Sequence, residues 1–138
     1  TYEAIAPDAE GYDQPRLLRH RLIEPAGEAF MQMQVVPGEP NAETLVQRLE
    51  ALSGGWARYE LRPRTGRKHQ LRAQMNAQGL PLAGDRVYPV LQPHEAEPGF
   101  NAPLGLLARE LEFCDPLTGK LRHWRSSRTL APPPDSMP

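Results

Sequence analysis

The densest polar chemistry in this 138-residue chain lies in one run, Arg64-Thr65-Gly66-Arg67-Lys68-His69-Gln70-Leu71-Arg72. Gly66 lets a ligand approach the backbone closely, and Arg67 and Lys68 are residue types that contact phosphates. Arg72 follows Lys68 by one helical turn and has no acid beside it in sequence. A guanidinium buried there needs a carboxylate or a phosphate. The pattern fits a phosphate or RNA-backbone site; it also fits an exposed basic helix. His69 sits inside the run as a candidate general base or as a structural hydrogen-bonder. The other histidines, His20, His94 and His123, lie far apart, and Cys114 is the single cysteine. Neither a zinc site nor an intrachain disulfide framework is expected from these residues.

The formal net charge of −1 hides a segregation of charge. Five basic residues and no acid fall between Arg62 and Arg72, and four basic residues and no acid between Lys120 and Arg128. Two basic segments on a near-neutral chain point to a local anion-binding face rather than to bulk attraction for polyanions.

Hydrophobic residues at 39% and charged residues at 24% are enough for a folded core, and the length suits one modest domain. With 16 Pro and 11 Gly, short strands and turns are favoured over a helical bundle. No apolar run approaches the roughly 18 residues of a membrane span, and the first residues lack a leader pattern. A cytoplasmic protein is expected. Alternation places strands at 2–6, 17–23, 30–36 and 56–61. Residues 41–52 allow two readings. Leu45, Leu49 and Leu52 fit a helix capped by Asn41, whereas a strand there would form a hairpin with 56–61 over Ser53-Gly54-Gly55. The main helix is expected over 66–78, with Thr65 as N-cap, Leu71 and Met75 on one face, and Gly79 and Pro81 as its stop. Arg67 and Lys68 would then oppose the dipole of the first turn unless an anion lies nearby. Residues 80–88 and 89–103 read as loops and 115–120 as a turn. Residues 111–113 and 121–126 read as strands. The Pro-rich stretch 131–138 is expected to be a disordered tail.

The run from Pro63 to Arg72, followed by Gly79-Leu80-Pro81-Leu82-Ala83-Gly84-Asp85-Arg86-Val87-Tyr88, closely resembles RluA-type RNA pseudouridine synthases. Weaker matches occur in the right order: Tyr2-Glu3-Ala4, Ala42-Glu43-Thr44, and Leu107-Ala108 through Leu111-Glu112-Phe113-Cys114-Asp115-Pro116. The resemblance implies an α+β fold over 1–130, with a mixed, mostly antiparallel sheet and one main helix. It implies conversion of uridine to pseudouridine in rRNA or tRNA, with no metal or organic cofactor. An aspartate attacks the nucleoside, and the uracil detaches, turns and rejoins through carbon. Tyr2 would be the active-site tyrosine, and Arg72 the arginine that pairs with the catalytic aspartate. Arg64, Arg67, Lys68 and His69 would face the RNA.

The family's nucleophile sits in a His-Arg-Leu-Asp motif upstream of the Tyr-x-Ala strand, and these 138 residues contain no such motif. His20-Arg21-Leu22-Ile23 lies downstream of Tyr2 and has Ile23 where the aspartate belongs, with no Thr-Ser-Gly after it. Smaller departures are Leu107 and Asp115 where histidines are common, and Gln74 after the arginine run. The expectation is therefore a part of a larger synthase whose missing N-terminal piece carries the nucleophile. Two other readings are a non-catalytic RNA-binding domain of the same descent and a small phosphohydrolase using His69.

Overall fold

Strict alternation builds the centre of the molecule. In the computed structural model, which describes residues 1–24, 32–85, 87–88, 104–114 and 116–132, Ala57, Tyr59 and Leu61 are fully buried while the residues between them are half-exposed. Ala42, Thr44 and Val46 behave in the same way one strand over. The elements in chain order are β1 (Tyr2–Pro7), β2 (Arg16–Ile23), β3 (Gln34–Val36), β4 (Ala42–Ala51), β5 (Trp56–Pro63), α1 (Gln70–Ala77), β6 (Leu106–Ala108), β7 (Glu110–Cys114) and β8 (Leu121–Arg125). A six-stranded sheet has the order β3-β2-β4-β5-β1-β6, and β7 and β8 form a separate two-stranded sheet. Every strand pairing among the described residues is antiparallel. The expected mostly antiparallel sheet with one main helix is what forms.

The open choice at 41–52 resolves as strand. Its buried residues repeat every second position, and the leucine spacing that suggested a helix does not mark the core. Leu49 is 44% exposed and sits where the β4–β5 register shifts, between Arg48 and Glu50. The hairpin closes over Ser53–Gly55, with Gly54 at φ 77° and Gly55 at φ 84°, a left-handed pair that side chains disfavour. Strand 30–36 shortens to β3; residues 30 and 31 lie outside the described residues, as do 89–103 and the end of the expected tail, 133–138. The stretch 104–113 divides into β6 and the start of β7.

The helix starts four residues later than the N-cap reading of Thr65 predicts. The Thr65 hydroxyl donates to Gln70 Oε1 at 2.6 Å and accepts from the Glu43 amide at 3.0 Å, so it is not available to cap the helix. His69 then takes φ 52°, outside helical space, and the helix begins at Gln70. Arg67 and Lys68 consequently lie in the turn before α1, not in its first turn. The C-terminus ends as expected. Gly79, at φ 76°, donates to Asn76 O at 2.9 Å, and Leu80 donates to Met75 O at 3.0 Å, a Schellman closure.

The buried face of α1 is partly polar. Gln70, Leu71, Ala73, Gln74 and Met75 all turn inward. Thr44 Oγ donates to Gln74 Oε1 at 2.6 Å, and Gln74 Nε2 reaches Leu18 O and Ala42 O, each at 3.2 Å, with His20 Nδ1 at 3.0 Å. Gln70 Nε2 donates to Thr44 Oγ at 2.9 Å and to Glu43 O at 3.1 Å. These side chains fasten the helix to β2 and β4 at a fixed rotation, which apolar packing alone would specify less sharply. Gln74→Leu should cost about 1–3 kcal/mol, because it leaves the Thr44 hydroxyl and two carbonyls buried without Gln74. Urea unfolding reads this as a lowered midpoint, with Thr44→Val added on top costing less than the sum of the two single changes.

On the other side of β1, three backbones close a ring. Ile5 N donates to Gly105 O at 2.9 Å, Gly105 N to Ala83 O at 2.7 Å, and Ala83 N to Ile5 O at 2.8 Å. Gly105 is required by this approach, since a Cβ there would stand 3.0 Å from Ile5 Cβ and 3.2 Å from Ile5 O. At the far end of β1, the Tyr59 hydroxyl donates to Pro7 O at 2.6 Å and accepts from Ala9 N at 3.1 Å; burial pushes its pKa up to about 12.

Candidate active site

Two segments remote in sequence meet at one cleft. Tyr2, half-buried, opens β1 and is held in register between Leu61 of β5 and Ala108 of β6. Arg72 projects from the first turn of α1. Between them runs the turn 64–69, fixed by Gln70 Oε1, which accepts from both the Thr65 hydroxyl and the Arg67 amide at 3.0 Å. The resulting cleft, of about 400 Å³, is lined by Tyr2, Pro63, Thr65, Gly66, Arg67, His69, Gln70, Leu71, Arg72, Leu104 and Leu106. A phenol, two guanidinium groups and an imidazole thus share a largely apolar recess, which suits an aromatic ring joined to an anionic backbone.

The environment of Arg72 differs from the expectation. Its carboxylate partner lies within the chain: Arg72 Nε donates to Asp85 Oδ2 at 3.0 Å and Nη2 to Asp85 Oδ1 at 2.7 Å. The acid is 13 residues downstream, in the loop after the helix, which is why no local partner is visible in the sequence run. The Asp85 side chain is fully buried and that of Arg72 is 18% exposed. Asp85 Oδ1 also accepts from the Val87 and Tyr88 amides at 2.9 and 3.0 Å. Burial alone would raise the Asp85 pKa, but the Arg72 hydrogen bonds and these two amides outweigh it and hold it below the ordinary carboxylate value. The Asp85 hydrogen bond in turn raises the Arg72 pKa against the opposing effect of burial. Two of the guanidinium nitrogens are committed to Asp85, and Nη1 takes no acceptor among the described residues.

Tyr88 completes the cluster. The Arg72 guanidinium stands 5.7 Å from its ring centre, and the His69 ring meets it edge to face at 5.9 Å. Burial, and then the charges of Arg72 and Lys68, push the His69 imidazole below its ordinary pKa, so it is neutral at pH 7. The two carboxylates whose charge reaches this imidazole, Asp85 and Glu24, are paired with Arg72 and Lys68, so among the described residues neither is a free acid of the kind a hydrolytic reading would require.

Of the residues singled out in sequence, the structure brings Tyr2, Arg67, His69 and Arg72 to the cleft. Arg67 Nε also donates to Asn41 O at 3.2 Å. Arg64 and Lys68 do not line it. Arg64 is exposed, and Lys68 Nζ pairs with Glu24 Oε1 at 2.8 Å on the surface. His20, in the rejected His-Arg-Leu-Ile stretch, is tied to Gln74 in the core rather than to the cleft. Asp85 and Gln70 were not singled out as site residues. For Asp85 the available signal is the Gly84-Asp85 pair in the segment that carries the resemblance. Among the described residues, no group of three or more His, Cys, Asp or Glu side chains is placed to hold a metal ion.

Comparison with known proteins agrees with this architecture. No established family model matches the chain. The chain is similar to the dual-specificity RNA pseudouridine synthase RluA of Haemophilus influenzae, with 39% identity over 79 residues, 57% of this chain and 34% of that protein. The RluA of Pasteurella multocida is 40% identical over 81 residues, 59% of this chain and 35% of that protein. In fold it is similar to human RNA pseudouridylate synthase domain containing 1, with a TM-score of 0.71 at 24% identity over 92% of this chain and 53% of that one. Human RNA pseudouridylate synthase domain containing 4 gives 0.64 at 22% identity, over 94% and 57%. The matched segments span about a third of the length of the curated relatives. Over the matched segments the chain is similar in sequence to RluA-type RNA pseudouridine synthases, and its sheet and helix share the fold of the two human pseudouridylate synthase domains.

Proposed function

We propose that residues 1–130 form part of the catalytic domain of an RNA pseudouridine synthase acting on uridine in rRNA or tRNA, in the cytoplasm. The observation that carries this reading is the shared cleft of Tyr2 and Arg72, flanked by Arg67 and His69. The target uridine leaves its stack and enters the cleft, as base-modifying enzymes require. Arg67 meets the backbone phosphates. An aspartate from polypeptide outside these 138 residues attacks the nucleoside, and the bond from the sugar to the uracil nitrogen breaks. The uracil turns, the aspartate–sugar bond breaks as a new bond forms from the sugar to C5, Tyr2 takes the proton that C5 gives up, and the freed uracil nitrogen gains a proton. Arg72, clamped on one side by Asp85, offers its remaining nitrogen to the incoming carboxylate. Among the described residues, no helix is long and apolar enough to cross a membrane.

Tritium release from RNA carrying 5-tritiated uridine tests the reading. The chain alone is expected to release none, and a protein that joins these residues to an upstream His-Arg-Leu-Asp segment is expected to turn over. Absence of release from that longer protein on rRNA and tRNA overturns the proposal.

A further inference from the structure

Tyr2 and Pro63 line a second cleft as well as the first. It measures about 560 Å³ and lies between the start of β1 and the β7–β8 sheet, with Arg62, Leu111 and Trp124 among its lining. Trp124 and Leu111 face each other across that sheet and are 49% and 55% exposed, and every residue of β8 is exposed. An exposed indole beside an aliphatic side chain is an apolar surface left open among the described residues. Its surroundings are cationic. The Arg62 side chain is 61% exposed, with its Nε 2.7 Å from Glu60 Oε1, and Lys120 to Arg128 carries four basic residues and no acid. Among the described residues, the one carboxylate lining the cleft, Glu110, is paired with His123 at 3.4 Å and Arg125 at 3.7 Å. An aromatic face surrounded by cations, continuous with a cleft that takes a nucleoside, matches the way proteins hold single-stranded nucleic acid.

We propose that Trp124 is a stacking platform for the base of the nucleotide next to the target uridine, with Arg62 on the intervening phosphate. The proposal rests on the reading of the Tyr2 cleft as the uridine site. It assigns the second basic segment of the sequence to substrate RNA and makes the neighbouring base, rather than phosphate alone, part of recognition.

The test uses the full 138-residue chain and a labelled single-stranded oligouridylate. Trp124→Ala is expected to weaken binding about tenfold, within the range of one lost base stack. The slope of log affinity against log salt should not change, because no phosphate contact is lost. The melting temperature should stay at its wild-type value, since the indole is half-exposed, and Trp124→Phe should retain most of the affinity. In a Trp56→Phe background, the remaining tryptophan emission, from Trp124, should change on adding the RNA. Wild-type affinity in Trp124→Ala, or unchanged Trp124 emission with RNA bound, overturns the proposal and assigns the patch to a protein partner, leaving the uridine cleft intact. Failure of the chain to bind the RNA at any salt concentration overturns the reading of the Tyr2 cleft, and this proposal with it.

Discussion

Asp85→Ala is expected to destabilise the chain by about 3–5 kcal/mol, the usual cost of stranding one partner of a buried ion pair. The Arg72 side chain is only 18% exposed, so water replaces little of what the carboxylate provides. The Val87 and Tyr88 amides lose their acceptor at the same time. Calorimetry should show the melting temperature falling by roughly 10–20 °C. Arg72→Met in the same background should recover part of the loss, because it removes the unpaired charge. The pair also sets a pH dependence. The Asp85 pKa is lowered in the folded state and lies near 3.9 in the unfolded chain. Its contribution is therefore fully present above about pH 4 and is lost as pH falls through the lower folded value. Asp85→Asn should flatten that acid limb. An earlier loss belongs to His20 and His69, both held below 6.5 chiefly by burial. The unfolded chain protonates them first as pH falls through about 6.5, and that limb should survive in Asp85→Asn.

In a protein that joins these residues to the nucleophile, Tyr2→Phe should reduce turnover by about 10²- to 10⁴-fold, the range for loss of a positioned general base. RNA affinity should change little, because only the hydroxyl is lost and the aromatic ring remains in the cleft. Single-turnover tritium release with enzyme in excess separates the two effects. A variant that keeps wild-type turnover removes Tyr2 from proton transfer. Tyr2 is well placed for a fixed role: its backbone is paired on both sides, to Leu61 and Ala108, so the phenol position is set by the sheet rather than by a loop.

Much of this arrangement was legible in the residues. The alternation around Tyr59, the Ser-Gly-Gly hairpin and the Gly79 stop are local signals, and local physics decides them. The start of α1 was not legible, because Thr65 has the right type for a cap but its hydroxyl is claimed by Gln70 and Glu43, and the second partner is distant in sequence. The leucines of β4 misled for a similar reason. Their spacing is helical, yet the strand's buried side is carried by Ala42, Thr44 and Val46, of which only Val46 gives a strong hydrophobic signal. The partner of Arg72 was missed because reading along a helix searches one turn either way, and Asp85 returns to it only through the loop that follows.

The ring of backbone bonds joining Ile5, Ala83 and Gly105 has a consequence for how such a protein can vary. Two of its members, Ala83 and Gly105, flank the stretch between Tyr88 and Leu104, and both are anchored to the same residue of β1. Lengthening or trimming the chain between those anchors changes loop-closure entropy only slowly with length. Chains of this kind can therefore differ in length over that span while the positions of phenol and guanidinium stay fixed by the sheet and helix.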